Sequence, residues 1–145
     1  MKRGHTTSLL FTFLLLLGTY TSTLTAQNLN TPRPSPAATL NQQIGMTSVT
    51  VNYSRPQVIV NGNDRTGKVW GTLVAYGFNK INFASQGEIP WRAGANENTV
   101  ITFSDDVKIE GESLKAGSYG LHMAIEEEGK ATLIFSKNTT SWGSF

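Results

Sequence analysis

Apolar side chains recur at every second position through much of this chain, which is the period of a strand with one face in the core and not of a helix. Val49, Val51 and Tyr53 alternate with Ser48, Thr50 and Asn52. Thr99, Ile101 and Phe103 fall on one side of a second run, and Tyr119, Leu121, Met123 and Ile125 lie opposite Gly120, His122 and Ala124 in a third. Further short runs cover Val58–Val60, Val107–Ile109 and Ala131–Ser136. Turn chemistry separates them: Asn61-Gly62-Asn63-Asp64, Ser104-Asp105-Asp106, Glu110-Gly111-Glu112-Ser113, and Glu126–Lys130 with its Gly129. Short strands recurring every ~8–12 residues with turns between them predict an all-β fold, specifically an antiparallel β-sandwich of jelly-roll or immunoglobulin-like type.

The two ends read differently from this middle. Lys2, Arg3 and His5 precede an apolar run from Leu9 to Leu17, and a small-polar stretch then leads to Ala26. That order is the signature of a secretory signal peptide, and the apolar run is far short of the ~20 residues a membrane-spanning helix needs. We expect cleavage after Ala26, giving a protein exported to the periplasm or secreted, with no membrane anchor. Residues 27–38 follow as a proline-rich leader, since Pro32, Pro34 and Pro36 favour extended chain without ladder donors. The folded domain is expected over 39–145. With Trp142 and Phe145 among the last four residues, we expect it to be incomplete at its C-terminus.

Removing residues 1–26 takes Lys2 and Arg3 away, so ten basic residues remain against ten acidic ones. A neutral domain has no electrostatic footprint for nucleic acid. There is no cysteine, which excludes disulfides, a thiolate nucleophile, a cysteine metal site and a cysteine-linked lipid anchor.

Few motifs carry chemistry. Gly62-Asn63-Asp64-Arg65-Thr66-Gly67-Lys68 matches most of a phosphate-binding loop. Val69, however, stands where a magnesium-binding hydroxyl belongs, and no helical pattern follows. It reads as a glycine-punctuated turn. His122 is the one histidine after the signal, so a zinc site is not expected and any catalytic triad would have to use it. A hydrogen-bonded structural role near the surface or under a loop is the plainer reading. The segment Pro90–Thr99 is the densest in polar and aromatic groups. Trp91, Arg92, Asn96 and Glu97 bring a stacking ring, a guanidinium fork, a carboxamide and a carboxylate close together, a set suited to a sugar or a carboxylate. The alternative is internal: Arg92 pairs with Glu97, and Asn96 and Asn98 satisfy the turn's own backbone. Trp70, Trp91 and Trp142 read as core or edge cover before they read as a sugar platform. The acidic groups at 105–106, 110–112 and 126–128 read as solvated turns, so neither a glycosidase pair nor a metal site is assigned.

Several segments resemble the secreted bacterial domain of unknown function 2911. They are Ser54-Arg55-Pro56, Val69–Val74, Pro90–Thr99, Ala116–His122 and Phe135–Phe145, covering about 35–145. The resemblance implies export, a β-sandwich, and a chain continuing past Phe145 with at least one more strand. It implies no mechanism. Ala75 stands where the family often has proline, and Asp105 where close relatives often have histidine. The function expected is a non-catalytic module that binds a ligand, a glycan or a peptide, without a cofactor, through Arg55, Trp91, Arg92, Asn96, Glu97 and His122. The alternatives are a hydrolase using His122 with Glu97 or Asp105, and a structural domain of a longer chain.

Overall fold

A computed structural model describes residues 31–80 and 87–144. The expected signal peptide and its cut after Ala26, most of the leader's first half and Phe145 lie outside the described residues. From Pro32 onward the chain forms one compact unit.

Strands β1 (Ala37–Ile44), β2 (Thr47–Ser54), β3 (Ile59–Val60), β4 (Asn63–Asp64), β5 (Thr99–Phe103), β6 (Val107–Ile109), β7 (Glu112–Leu114), β8 (Gly117–Ile125) and β9 (Ala131–Ser136) make up the regular structure. Among the described residues there is no helix. Five strands form one antiparallel sheet in the order β1-β2-β5-β8-β9, while β3–β4 and β6–β7 are two-stranded ribbons. The all-β, antiparallel expectation therefore holds. Strands β5, β6 and β9 begin and end at the residues the alternation picked out.

β1 is the element the sequence reading missed. The proline-rich leader was expected to run to Ala38, whereas the strand begins at Ala37. Its side chains are almost all exposed, so it carries little hydrophobic signal; the ladder to β2 sets its place. Gly45 joins the two strands at φ +60, the positive value that a two-residue primed hairpin turn demands.

Register puts the alternating residues on two faces. Val49, Ile101 and Phe103, Tyr119 and Leu121, and Phe135 share one of them, with Phe103 and Leu121 buried to 6% and 9% exposure. The rings of Phe103, Tyr119 and Phe135 meet with centroids 6.3–6.5 Å apart, tilted or edge-to-face, adding about 0.5–1.5 kcal/mol per pair beyond simple burial. Toward the sheet edges this face opens: Leu40 on β1 and Leu133 on β9 are exposed.

The opposite face is polar over β1, β2 and β5. There Thr39 bonds Asn52 at 2.7 Å, Asn41 bonds Thr50 at 2.8 Å, and Thr102 bonds Ser118 at 2.8 Å. Over β8 the same face is buried at Gly120, His122 and Ala124, the first two beneath the C-terminal segment 138–144. We call that segment the strap. It makes one end of the sheet different from the rest.

Candidate functional site

Trp91 extends the line of β5 past a loop and pairs with Met123 of β8 through two backbone bonds of 2.8 Å. The chain from Pro56 to Lys80 folds against this end of the sheet. It is held by turns of its own, Gly71 N–H to Val74 O at 2.8 Å and Val74 N–H to Val69 O at 2.9 Å, and by Gly77 N–H to Ile125 O at 2.8 Å. Val74 is its buried anchor. The bulky residues around that anchor then have no core left to enter. Trp70 lies edge-to-face on Trp91, 5.5 Å between centroids at 84°, and remains half exposed.

A cleft of about 700 Å³ opens between these segments. Trp70, Trp91, Leu73 and Pro90 give it apolar walls, and Arg65, Lys80 and Arg92 give it charge; among the described residues that line it none is acidic. Arg92 donates from Nη1 to Trp142 O at 3.1 Å. Burial pushes its pKa below the usual guanidinium value, opposed by the nearby Glu97 carboxylate. Ser144 reaches the cleft from the strap.

The strap is seated by polar bonds. Asn98 donates from Nδ2 to Asn138 O at 3.2 Å and to Ser141 Oγ at 2.7 Å, and its backbone N–H bonds Ser141 O at 3.2 Å. Nδ2 must face the Asn138 carbonyl, which leaves Asn98 Oδ1 buried without a partner. His122 is buried to 5% exposure and shares a 2.6 Å bond between Nδ1 and Ser144 Oγ. Burial lowers its pKa below the ordinary imidazole value, so the ring is neutral near pH 7. Gly120 completes the seat. A Cβ there would lie 2.5 Å from Asn138 O, 3.0 Å from Asn98 Nδ2 and 3.2 Å from His122 Nε2.

The loop 92–98 turns away from the cleft after Ala95. Glu97 accepts from Arg33 Nη2 at 2.7 Å through each carboxylate oxygen and from Ser54 Oγ at 3.2 Å. Chiefly the Arg33 bond holds its carboxyl below the usual range. Asn96 donates to Ser35 O at 3.4 Å, and Arg55 N–H bonds Pro36 O at 2.9 Å. Ala93 and Asn96 both adopt positive φ, and Gly94 has no room for a Cβ, which would lie 2.8 Å from Thr99 Oγ1. The loop is shaped by contacts on every side.

Of the six residues expected at a site, Trp91 and Arg92 line the cleft, and His122 reaches it through Ser144. Asn96 and Glu97 belong to the seat of the proline-rich segment instead. Arg55 is exposed and is held there by its backbone. The internal pairings considered from sequence are also revised. Arg92 bonds Trp142 O and not Glu97, and Asn96 and Asn98 bond distant segments, not their own turn. Of the tryptophans expected as core or edge cover, Trp70 and Trp142 are 50% and 58% exposed and so are not core. The glycine-punctuated turn at 62–68 is confirmed: Thr66 N–H caps Asp64 at 2.8 Å and no helix follows. Sequence reasoning missed Arg65, Trp70, Lys80 and Ser144. The first three share one signal, a cluster of aromatic and basic residues in 65–80 outside any alternating run; Ser144 had none.

A family model described as "Protein of unknown function (DUF2911)" matches residues 35–145, and the chain belongs to that family. No curated protein and no solved structure matches it.

Proposed function

We propose that this family member is an exported, non-catalytic binding module whose ligand occupies the cleft between Trp70, Trp91 and Arg92. The observation that carries the reading is a concave site of about 700 Å³ with apolar walls and cationic side chains, a size within the range of ~300–1,000 Å³ typical of ligand pockets. The carboxylates a hydrolase would pair with His122 have other partners, Glu97 with Arg33 and Ser54 and Asp105 with Ser104, so neither is seen to orient the His122–Ser144 pair. Export rests on the charged, apolar and small-polar order of residues 1–26. A sandwich rests on the open apolar face at Leu40 and Leu133, which calls for a second layer.

The test is an array of glycans and peptides probed with the protein and with Trp91→Ala and Arg92→Ala. Binding that both variants lose supports the cleft. Binding that neither variant alters rejects it.

A further inference from the structure

Resting on the reading of the cleft as a binding site, we infer that its ligand is an organic anion, a carboxylate or phosphate carried on a flat apolar body, and not a neutral sugar. Donors outnumber acceptors in the lining. Arg65, Lys80 and Arg92 contribute three cationic groups, and among the described residues no Asp or Glu contributes to the wall.

Among the described residues no acid forms an ion pair with these groups, although the Glu97 carboxylate acts on Arg92 from nearby. Asp64, beside Arg65, accepts the Thr66 N–H, and Glu97 is held by Arg33 and Ser54. Glu88 is the position opposite Lys80 across the Asn79–Ile89 bridge, yet the ion pairs among the described residues are Arg33–Glu97 and Lys115–Asp106. A guanidinium has five N–H donors in a planar fork. Arg92 spends one of them within the protein, on Trp142 O, while partly withdrawn from water. A two-oxygen anion is the partner that geometry takes best.

A neutral sugar needs acceptors for its hydroxyl protons, and here they are scarce. Among the described residues, the lining side chains offer only the Gln57 and Asn79 amide oxygens and the Thr72 and Ser144 hydroxyls, and both hydroxyls are already engaged, with Lys68 O and with His122. The exposed Trp70 ring beside Trp91, with Leu73 and Pro90, offers instead a surface for a planar hydrophobic body.

The experiment compares 2-naphthoate, 2-naphthyl phosphate and the uncharged isostere 2-naphthamide, with maltotriose as the neutral sugar, by calorimetric titration at low salt. At least one anion is expected to bind the protein tenfold or more tighter than the amide, and which anion leads separates carboxylate from phosphate. Arg92→Gln is expected to collapse that preference toward unity, and Arg65→Gln to reduce it several-fold without touching the strap. Trp70→Ala is expected to weaken acid and amide together. Equal binding of acid and amide, or a preference that survives Arg92→Gln, overturns the anion. Trp70-dependent binding of maltotriose or the amide alone does the same while leaving the cleft as a binding site. No binding by any of the four probes up to millimolar concentration ends both readings.

Discussion

Gly120→Ala tests whether the strap is seated on β8 as described, because it adds a single methyl group where the backbone tolerates it. No positive φ is recorded at Gly120, so the substitution carries no conformational strain of its own. Its Cβ would lie 2.5 Å from the Asn138 carbonyl oxygen, close to an ångström inside ordinary contact. Backbone cannot swing aside as a lysine tip does. Segment 138–144 must lift, and the Asn98–Asn138 bond breaks as it does. Overpacking of this kind costs about 1–3 kcal/mol. The lost buried hydrogen bond adds about 1 kcal/mol. The stiffer unfolded chain returns about 0.4–1 kcal/mol. The net is about 2–3 kcal/mol, or a fall in Tm of roughly 10 °C for a domain of about 110 residues. Urea unfolding followed by tryptophan fluorescence reads the free energy, and hydrogen exchange at Asn98 N–H, bonded to Ser141 O, reads strap release. Gly45→Ala is the control, with nothing within 4 Å of its Cβ and only the cost of a positive φ. A Gly120→Ala loss below about 0.5 kcal/mol with Asn98 protection unchanged would refute the seat, since no overpacking cost would remain.

Three other outcomes follow from the same geometry. Asn98→Ala removes two side-chain bonds to the strap and is expected to cost about 2 kcal/mol; Asn98→Asp, which would aim a carboxylate at Asn138 O, is expected to cost more, both read by denaturant titration. His122 has a folded pKa below its unfolded value near 6.5, so the unfolded chain takes up the proton first as pH falls. Stability is therefore full above about pH 6.5 and declines as pH drops toward the folded value, and His122→Asn should flatten that slope in midpoints measured between pH 7.5 and 5. Arg33→Ala should cost less than about 1 kcal/mol, because the pair it breaks is solvent-screened, with side chains 45% and 47% exposed. The Glu97 carboxyl, depressed mainly by Arg33, should then titrate closer to its ordinary range by NMR. The small stability it supplies, present above that range, should no longer be lost as pH falls through the depressed value.

The strands of the sheet's interior were legible because their alternation is a direct consequence of having one face in the core. β5 and β9 could be bounded to the residue. β1 was not legible, since an exposed edge strand such as Ala37–Ile44 is placed by the ladder it extends and carries almost no apolar pattern. The site was half legible. Trp91 and Arg92 announced themselves by residue type, whereas Arg65, Trp70 and Lys80 stand in turns whose shape depends on the buried Val74 and on Gly77 meeting Ile125. Glu97 misled for a related reason. Its partner, Arg33, lies 64 positions earlier, in a proline-rich run that composition alone assigns to a linker.

Two groups that face the cleft, Arg92 and Ser144, are also the groups that hold the last residues of the strap, at Trp142 and at His122. An occupant that fixes those two side chains would, by mass action, slow the peeling of residues 138–144 from the sheet. Lys137 is exposed just ahead of them, so tryptic cutting there should become slower in proportion to occupancy. Candidate molecules could thus be ranked by how well they shield one peptide bond, with no knowledge of what the protein does with them.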